Sequence, residues 1–250
     1  MVGPEPGSRV SPPPLLKRMA ALAGRLYRDE RAMWNAHYRR YFKVSARLLA
    51  IGFILGFVYF LLRPSQETRA LALVMKALKD IPLDAPPLVL ALTIFYHNAF
   101  ASGLAVGAGV LPFLCLPVLD PLVNGAALGL LASISKHQGL NVPLLFLRSV
   151  VPHGIVELPA VLYATSVGIF ISLSLSKRLV AAVRRKRVSA GPGQEPPAGG
   201  GEGEKEDAGR KDMPPDRRCF TPAVRSFGLV VLPLLLLAAF IEAFVTPLFR

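Results

Sequence analysis

The sequence predicts an all-α fold, a polytopic bundle of about five transmembrane helices, on three observations. Hydrophobic residues make up 52% of the 250 positions, mean hydropathy is +0.45, and the apolar residues are gathered into long runs with few charges. Runs of about 18 or more are what a ~30 Å hydrocarbon core demands of a helix. The 29 Lys and Arg residues give a net charge of +13 and cluster in segments that flank those runs, as the positive-inside rule describes. Finally, the run VPHGIVELPA (Val151–Ala160) carries His153 and Glu157 inside an apolar segment. Their spacing places them one turn apart on one helix face. Ionisable groups at membrane depth avoid lipid, so they imply a bundle with a polar interior.

Other classes are set aside on the same evidence. A pI near 10.3 invites a nucleic-acid reading, but the basic residues border apolar runs, so no nucleic-acid partner is expected. Cys115 and Cys219 have no metal-ligand spacing and cannot build a disulfide framework.

The elements follow in order. Residues 1–14 are rich in Pro and Gly, the composition of a disordered N-terminus. Residues 15–43 read as a basic amphipathic juxtamembrane helix, with Arg and Lys among Leu16, Met19, Leu22, Leu26, Met33, Trp34, Tyr38 and Tyr41. The first span is Val44–Leu62, a retained anchor, since it is too long for a signal-peptide core and no A-x-A site follows. A mixed-charge connector then holds a short amphipathic helix near Gln66–Lys79. Pro87 opens the second span at its first turn, where proline is tolerated, and the span runs to about Leu111. Pro112, Pro117, Asp120 and Pro121 predict a tight turn. The third span is Leu122–Ser135, extended back toward Phe113 to reach bilayer length. Pro143–Val151 reads as a re-entrant half-helix, and the fourth span runs from Pro152 to Leu175. Spans one to four thus occupy 44–176. Residues 177–225 read as a basic, then low-complexity cytoplasmic loop containing AGGGEGEKEDAG. The fifth span is Ser226–Thr246, within 226–250.

Counting Lys and Arg orients the chain. Residues 1–43 carry nine and 177–225 carry twelve, against four in 63–87 and two in 136–149. Five spans with a cytoplasmic N-terminus put both rich segments inside. The expectation is a multi-pass protein of the cell membrane.

The spans carry two kinds of candidate residue. Small residues spaced four apart, Gly103 and Gly107 in the second span and Gly125 and Gly129 in the third, suit close helix packing; Gly52 and Gly56 in the first have the same spacing. His97, Asn98, Asn124, His153, Glu157 and Glu242 lie on four spans, and each is costly alone in lipid. They are expected to converge in the interior. Pro159 cannot donate its backbone N–H and is expected to kink the fourth span near Ile155. Such a polar cluster can fix helix register, mark an ion, proton or solute path, or bind a metal for hydrolysis. For the last, H-E-x-x-H is absent and HGIVE supplies two candidate ligands where a catalytic zinc needs three. No intramembrane Asp pair, rhomboid G-x-S or P-loop is present. No catalytic residue, cofactor or metal is therefore assigned.

Four stretches in order, FYHNAFASGLAVGAG (Phe95–Gly109), NGAALG (Asn124–Gly129), VPHGIVELPA (Val151–Ala160) and AAFIEAFVTP (Ala238–Pro247), resemble the stage II sporulation protein M family of integral membrane proteins. The resemblance covers roughly residues 40–250 apart from the low-complexity loop. It implies a polytopic helical protein. In endospore formers the named member works with a peptidoglycan-degrading partner and an inhibitor-like membrane partner during engulfment. The Pro-rich N-terminus and the Gly/Glu/Lys loop go beyond the family pattern. The expected function is non-enzymatic: a scaffold that positions membrane or envelope protein partners, embedded in the lipid bilayer, with room for a homo-oligomer. A channel or secondary transporter is the alternative, and an intramembrane metal-dependent hydrolase the second alternative.

Overall fold

The computed structural model describes residues 14–77, 79, 81, 82, 84–189 and 217–249. The expected disorder of residues 1–14 falls outside these except for Pro14, and most of the low-complexity loop falls outside them too. Among the described residues the chain is helical, without strands: α1 (Pro14–Met33), α2 (Arg39–Leu62), α3 (Glu67–Ala77), α4 (Pro87–Ala108), α5 (Leu119–His137), α6 (Val142–Leu145), α7 (Val151–Ser189), α8 (Arg217–Ser226) and α9 (Leu232–Phe240). Among the described residues, five helical stretches are long and apolar enough to cross a membrane: Lys17–Leu62, Pro87–Ala108, Leu116–His137, Val142–Arg184 and Phe220–Val245.

Several boundaries differ from expectation. The juxtamembrane helix is not a separate surface element. A π-helical turn, Trp34–Tyr38, joins α1 to α2 without a break. Pro143–Val151 is not re-entrant either. Asn141 caps α6 by accepting from the Leu144 N–H at 3.1 Å, and a π-turn at Phe146–Val150 feeds directly into α7. The basic segment after residue 177 is helical to Ser189, because KRLVAAVRRKRV contains good helix formers and neither Gly nor Pro. The next described helix begins at Arg217. Pro159 lies inside α7, and the helix continues through it.

Proline sets the irregular turns. Among the described residues, three of the four π-turns, Phe146–Val150, Phe227–Val231 and Ile241–Val245, each end two residues before a proline: Pro152, Pro233 and Pro247. Proline cannot take the usual bond to the carbonyl four residues back. Widening the preceding turn by one residue absorbs that lost bond.

The register follows from close contacts. A Cβ on Gly52 would lie 2.3 Å from the Leu122 carbonyl oxygen, and one on Gly56 2.7 Å from Ala126 Cα. Reciprocally, a Cβ on Gly125 would meet the Leu49 oxygen at 2.2 Å, and one on Gly129 the Phe53 oxygen at 2.5 Å. Residue numbers rise together, so α2 and α5 run parallel with their backbones in contact. Gly168 of α7 faces the Ala105 oxygen of α4 in the same way, at 2.5 Å. Asn98 with Glu157 and Leu111 with Ser172 make α4 and α7 parallel. Asp120 with Thr165, and the cavity shared by Leu131 and His153, make α5 and α7 antiparallel. Consecutive spans therefore alternate in direction, and the N-terminal end of α2 lies at the same end as the C-terminal end of α7. By contrast, Gly103 meets only the Phe227 ring, at 3.7 Å, and Gly107 meets nothing within 4 Å. The expected close-packing face on the second span contacts no other backbone, because the neighbour there presents an aromatic side chain.

Helix α7 is the most deeply buried of the five spans. Its Ala160, Ala164, Val167 and Ile171 join Tyr38, Val231 and Leu235 in the core. Trp34 stacks on Tyr163 at 5.4 Å between centroids, and Tyr38 packs edge-on against both Tyr163 and Phe170 at 5.6 Å. The outer faces of α2 and α4 expose Ile54, Leu55, Leu92 and Phe100, which is what lipid-facing helices present. Helix α5 closes with Gly139 at φ 71°. The Leu140 N–H bonds to the Ser135 oxygen and the Gly139 N–H to the Lys136 oxygen, the Schellman arrangement that needs a left-handed residue at that position.

Gly125→Ala should destabilise the bundle by about 1–3 kcal/mol, since the clash is with backbone and cannot be relieved by rotating a side chain. Gly107→Ala should stay within about 0.5 kcal/mol of the parent. Thermal unfolding of both variants in mild detergent checks the contrast.

Candidate functional site

Four of the six polar span residues meet. His153 and Glu157 project from one face of α7, and Glu242 reaches them from the π-turn that extends α9. The donor atoms of these three side chains all lie within 4.8 Å of one another. Asn98 of α4 completes the group: its Nδ2 donates to Glu157 Oε1 at 3.0 Å. Three spans thus contribute to one polar centre.

Local structure explains the aim. His153 lies in the first turn after the π-turn Phe146–Val150, and Glu242 lies within the π-turn Ile241–Val245. One inserted residue rotates the following side chains by about 100° around the helix axis. π-turns recur at functional sites for this reason. Gly154, next to His153, has only side-chain neighbours, the nearest at 3.6 Å.

The cluster borders a cavity of about 290 Å³, lined by Asn124, Leu128, Leu131, Val150, His153, Gly154, Glu157 and Leu158, with Leu71 and Val74 of α3 at its edge. The lining is apolar except for Asn124, His153 and Glu157, and it contains no Lys or Arg. His153 Nδ1 is buried without a hydrogen-bond partner, which is uncommon for a buried polar atom and calls for an explanation.

The other two residues go elsewhere. His97 Nε2 lies 3.2 Å from the Ala77 carbonyl oxygen on α3, away from the cluster. Adjacent positions on a helix point about 100° apart, so His97 and Asn98 cannot both face inward. Asn124 lines the same cavity, but its Nδ2 donates to Asp120 Oδ1 at 3.2 Å.

Three polar groups of the interior carried no sequence signal. Asp120 accepts from Asn124 and, at 2.9 Å, from Thr165 Oγ1 on α7. The turn-forming prolines around it masked its place in the first turn of α5, where the helix dipole favours a carboxylate. Glu30 is buried; it accepts from Tyr163 OH and faces Arg225 Nε at 3.4 Å, while Arg225 also reaches Asp29 at 3.2 Å. Glu67 accepts from Ser133 Oγ at 2.7 Å and lies 3.0 Å from His137 Nδ1, tying α3 to the end of α5.

Residues 45–247 match the family model described as Stage II sporulation protein M. The chain belongs to that family. The match spans all five membrane-crossing helices from α2 onward and includes every member of the polar cluster. No curated protein and no solved structure gives a significant match. In this family member, then, the conspicuous PHG-x-x-E run marks where α7 meets α4 and the last span, and α1 lies N-terminal to the matched residues.

Asn98 is the donor that orients Glu157. Asn98→Leu should cost about 1–3 kcal/mol by leaving a buried acceptor without its partner, while Asn98→Gln should recover part of the loss. Arg225→Met should be destabilising by about 2 kcal/mol or more, because Glu30 loses its cation. Unfolding midpoints in detergent measure all three variants.

Proposed function

We propose that this family member is a non-enzymatic membrane scaffold, held in the cell membrane with its N-terminus in the cytoplasm, that positions protein partners in a cell-envelope complex. The observation that carries this reading is that two helices overrun the bilayer at the same end. Lys17–Leu62 has 46 residues and Val142–Arg184 has 43, whereas about 20 suffice to span the hydrocarbon core. At 1.5 Å per residue, Lys17–Lys43 ahead of the first span amounts to about 40 Å of ordered helix, and Ser176–Arg184 beyond the fourth to about 14 Å.

The surface of that extension suits docking. Leu15, Met19 and Leu22 are exposed and share one face of α1. Lys17, Arg18, Arg25, Arg28 and Arg31 are exposed around them. Arg225 pins this helix to α8 through Asp29 and Glu30, which keeps its direction relative to the bundle. The basic residues also suit anionic headgroups, at ~1 kcal/mol each near the surface. The positive-inside bias supports placing this end in the cytoplasm.

A channel or secondary transporter is the second reading, favoured by the polar cluster at membrane depth beside a cavity. Against it, Ala160, Ala164, Val167 and Ile171 fill the bundle beyond Glu157.

In mild detergent, affinity purification from native membranes should recover a membrane or envelope protein at near-equal stoichiometry, retained through stringent washing. The combined variant Leu15→Ser, Met19→Ser, Leu22→Ser should lose that partner while still accumulating as a monodisperse species. Recovery of the chain alone as a stable homo-oligomer, together with loss of function on Glu157→Gln, would replace the scaffold by the transport reading. Orientation is checked separately. With Cys115 and Cys219 replaced by serine, a cysteine at Lys17 or Lys177 should be shielded from an impermeant thiol reagent in intact cells, and one at Lys76 should react.

A further inference from the structure

We propose that His153, Glu157 and Glu242 bind one first-row divalent transition ion of the zinc type, which clamps the last span to α7. The sequence offered two ligands in HGIVE; the fold supplies the third from a turn 85 positions further on. One imidazole and two carboxylates form a legitimate zinc donor set. All three donor atoms lie within 4.8 Å of one another. Bonds of ~2.0–2.1 Å in a tetrahedral site set ligand separations near 3.4 Å, so side-chain rotations close the remaining gap.

Independent features point to the same ligand. His153 Nδ1 is buried and has no hydrogen-bond partner, as a nitrogen reserved for a Lewis acid would be. Asn98 holds Glu157 by one oxygen, at 3.0 Å, which leaves the other free and fixes the plane of the carboxylate; metal-binding carboxylates are oriented in this way. Two carboxylates brought together at membrane depth must hold a proton or meet a positive charge, and the adjoining cavity offers no Lys or Arg among its lining residues. That cavity also leaves room for water at a fourth position. Histidine disfavours Mg²⁺ and Ca²⁺, which prefer all-oxygen sites.

The ion would join α7 to the π-turn Ile241–Val245, which interrupts the α-helical hydrogen bonding at the end of the last span. Its role is to lock the helix that ends the bundle, independently of whether the scaffold reading holds.

Full-length, tag-free protein in detergent is stripped with chelator, re-equilibrated with Zn²⁺, and analysed by elemental mass spectrometry and thermal unfolding. About one Zn²⁺ per chain is expected, with a raised unfolding midpoint, because an ion that binds the folded state stabilises it. Mg²⁺ should give neither effect. Glu242→Gln and His153→Gln should abolish stoichiometric binding, and Asn98→Ala should weaken it roughly 10–100-fold. His97→Gln, whose parent side chain meets the Ala77 carbonyl and not the cluster, should bind as the parent does. If the ligand variants do not fold, Co²⁺ loaded into the parent gives a second reading: the intense visible absorption of a four-coordinate site supports the proposal. Zinc bound well below one per chain overturns it, as does zinc retained in Glu242→Gln, or a weak, six-coordinate Co²⁺ spectrum.

Discussion

At Gly52, Gly56, Gly125 and Gly129 the backbones of α2 and α5 touch, and none of the four positions has room for a side chain. Within a bilayer there is no hydrophobic gain from bringing two apolar helices together, because lipid tails are equally apolar; close dispersion contact has to replace it. The glycine track supplies that contact along several turns and so sets which helix lies beside which. Once α2 and α5 are joined, α7 is packed antiparallel to α5, with Thr165 reaching Asp120, and Gly168 lets α4 approach from the other side. The polar centre lies where these placements bring α4, α7 and the last span together.

Proline has a second, subtler influence. In a soluble helix, proline tends to end the element or kink it. Here Pro152, Pro233 and Pro247 each follow a π-turn by two residues, and the helical run continues through or up to them. In lipid, a freed carbonyl has no water to turn to, so the chain widens a turn and keeps its bonds internal. The by-product is a local change in facing. His153 and Glu242 both owe their inward direction to such a turn, which links the helix-breaking residues of the sequence to the chemistry of the site.

Beside the contact of Glu67 with Ser133 and His137 between α3 and α5, three polar networks tie further elements together. Asp120, Asn124 and Thr165 tie α5 to α7. Glu30, Arg225 and Tyr163 tie α1, α8 and α7 at the basic end. Asn98, Glu157, His153 and Glu242 join α4, α7 and the last span. The first two pair carboxylates with hydroxyl, amide or guanidinium donors. In the third, Asn98 donates to one of two carboxylates, and an imidazole nitrogen beside them has no hydrogen-bond partner; this imbalance is what the proposed ion would satisfy.

The all-α class, the five membrane-crossing stretches, the family and the alternation of basic and poor segments were legible in the sequence, because each depends on composition and on periodicity within one helix. Pairing across helices was not. His97 and Asn98 are equally polar neighbours, and only the packing of α4 against α7 and α3 decides that Asn98 turns inward and His97 toward Ala77. Gly107 and Gly125 have the same spacing pattern, yet one meets open space and the other a backbone oxygen. Glu30 and Arg225 are 195 positions apart, and nothing local relates them. A helix's own sequence determines that it forms and that it stays in the membrane, since those depend on its propensity and hydropathy. Which face meets which neighbour depends on the shape of a surface built by other segments, and only the tertiary structure contains that surface.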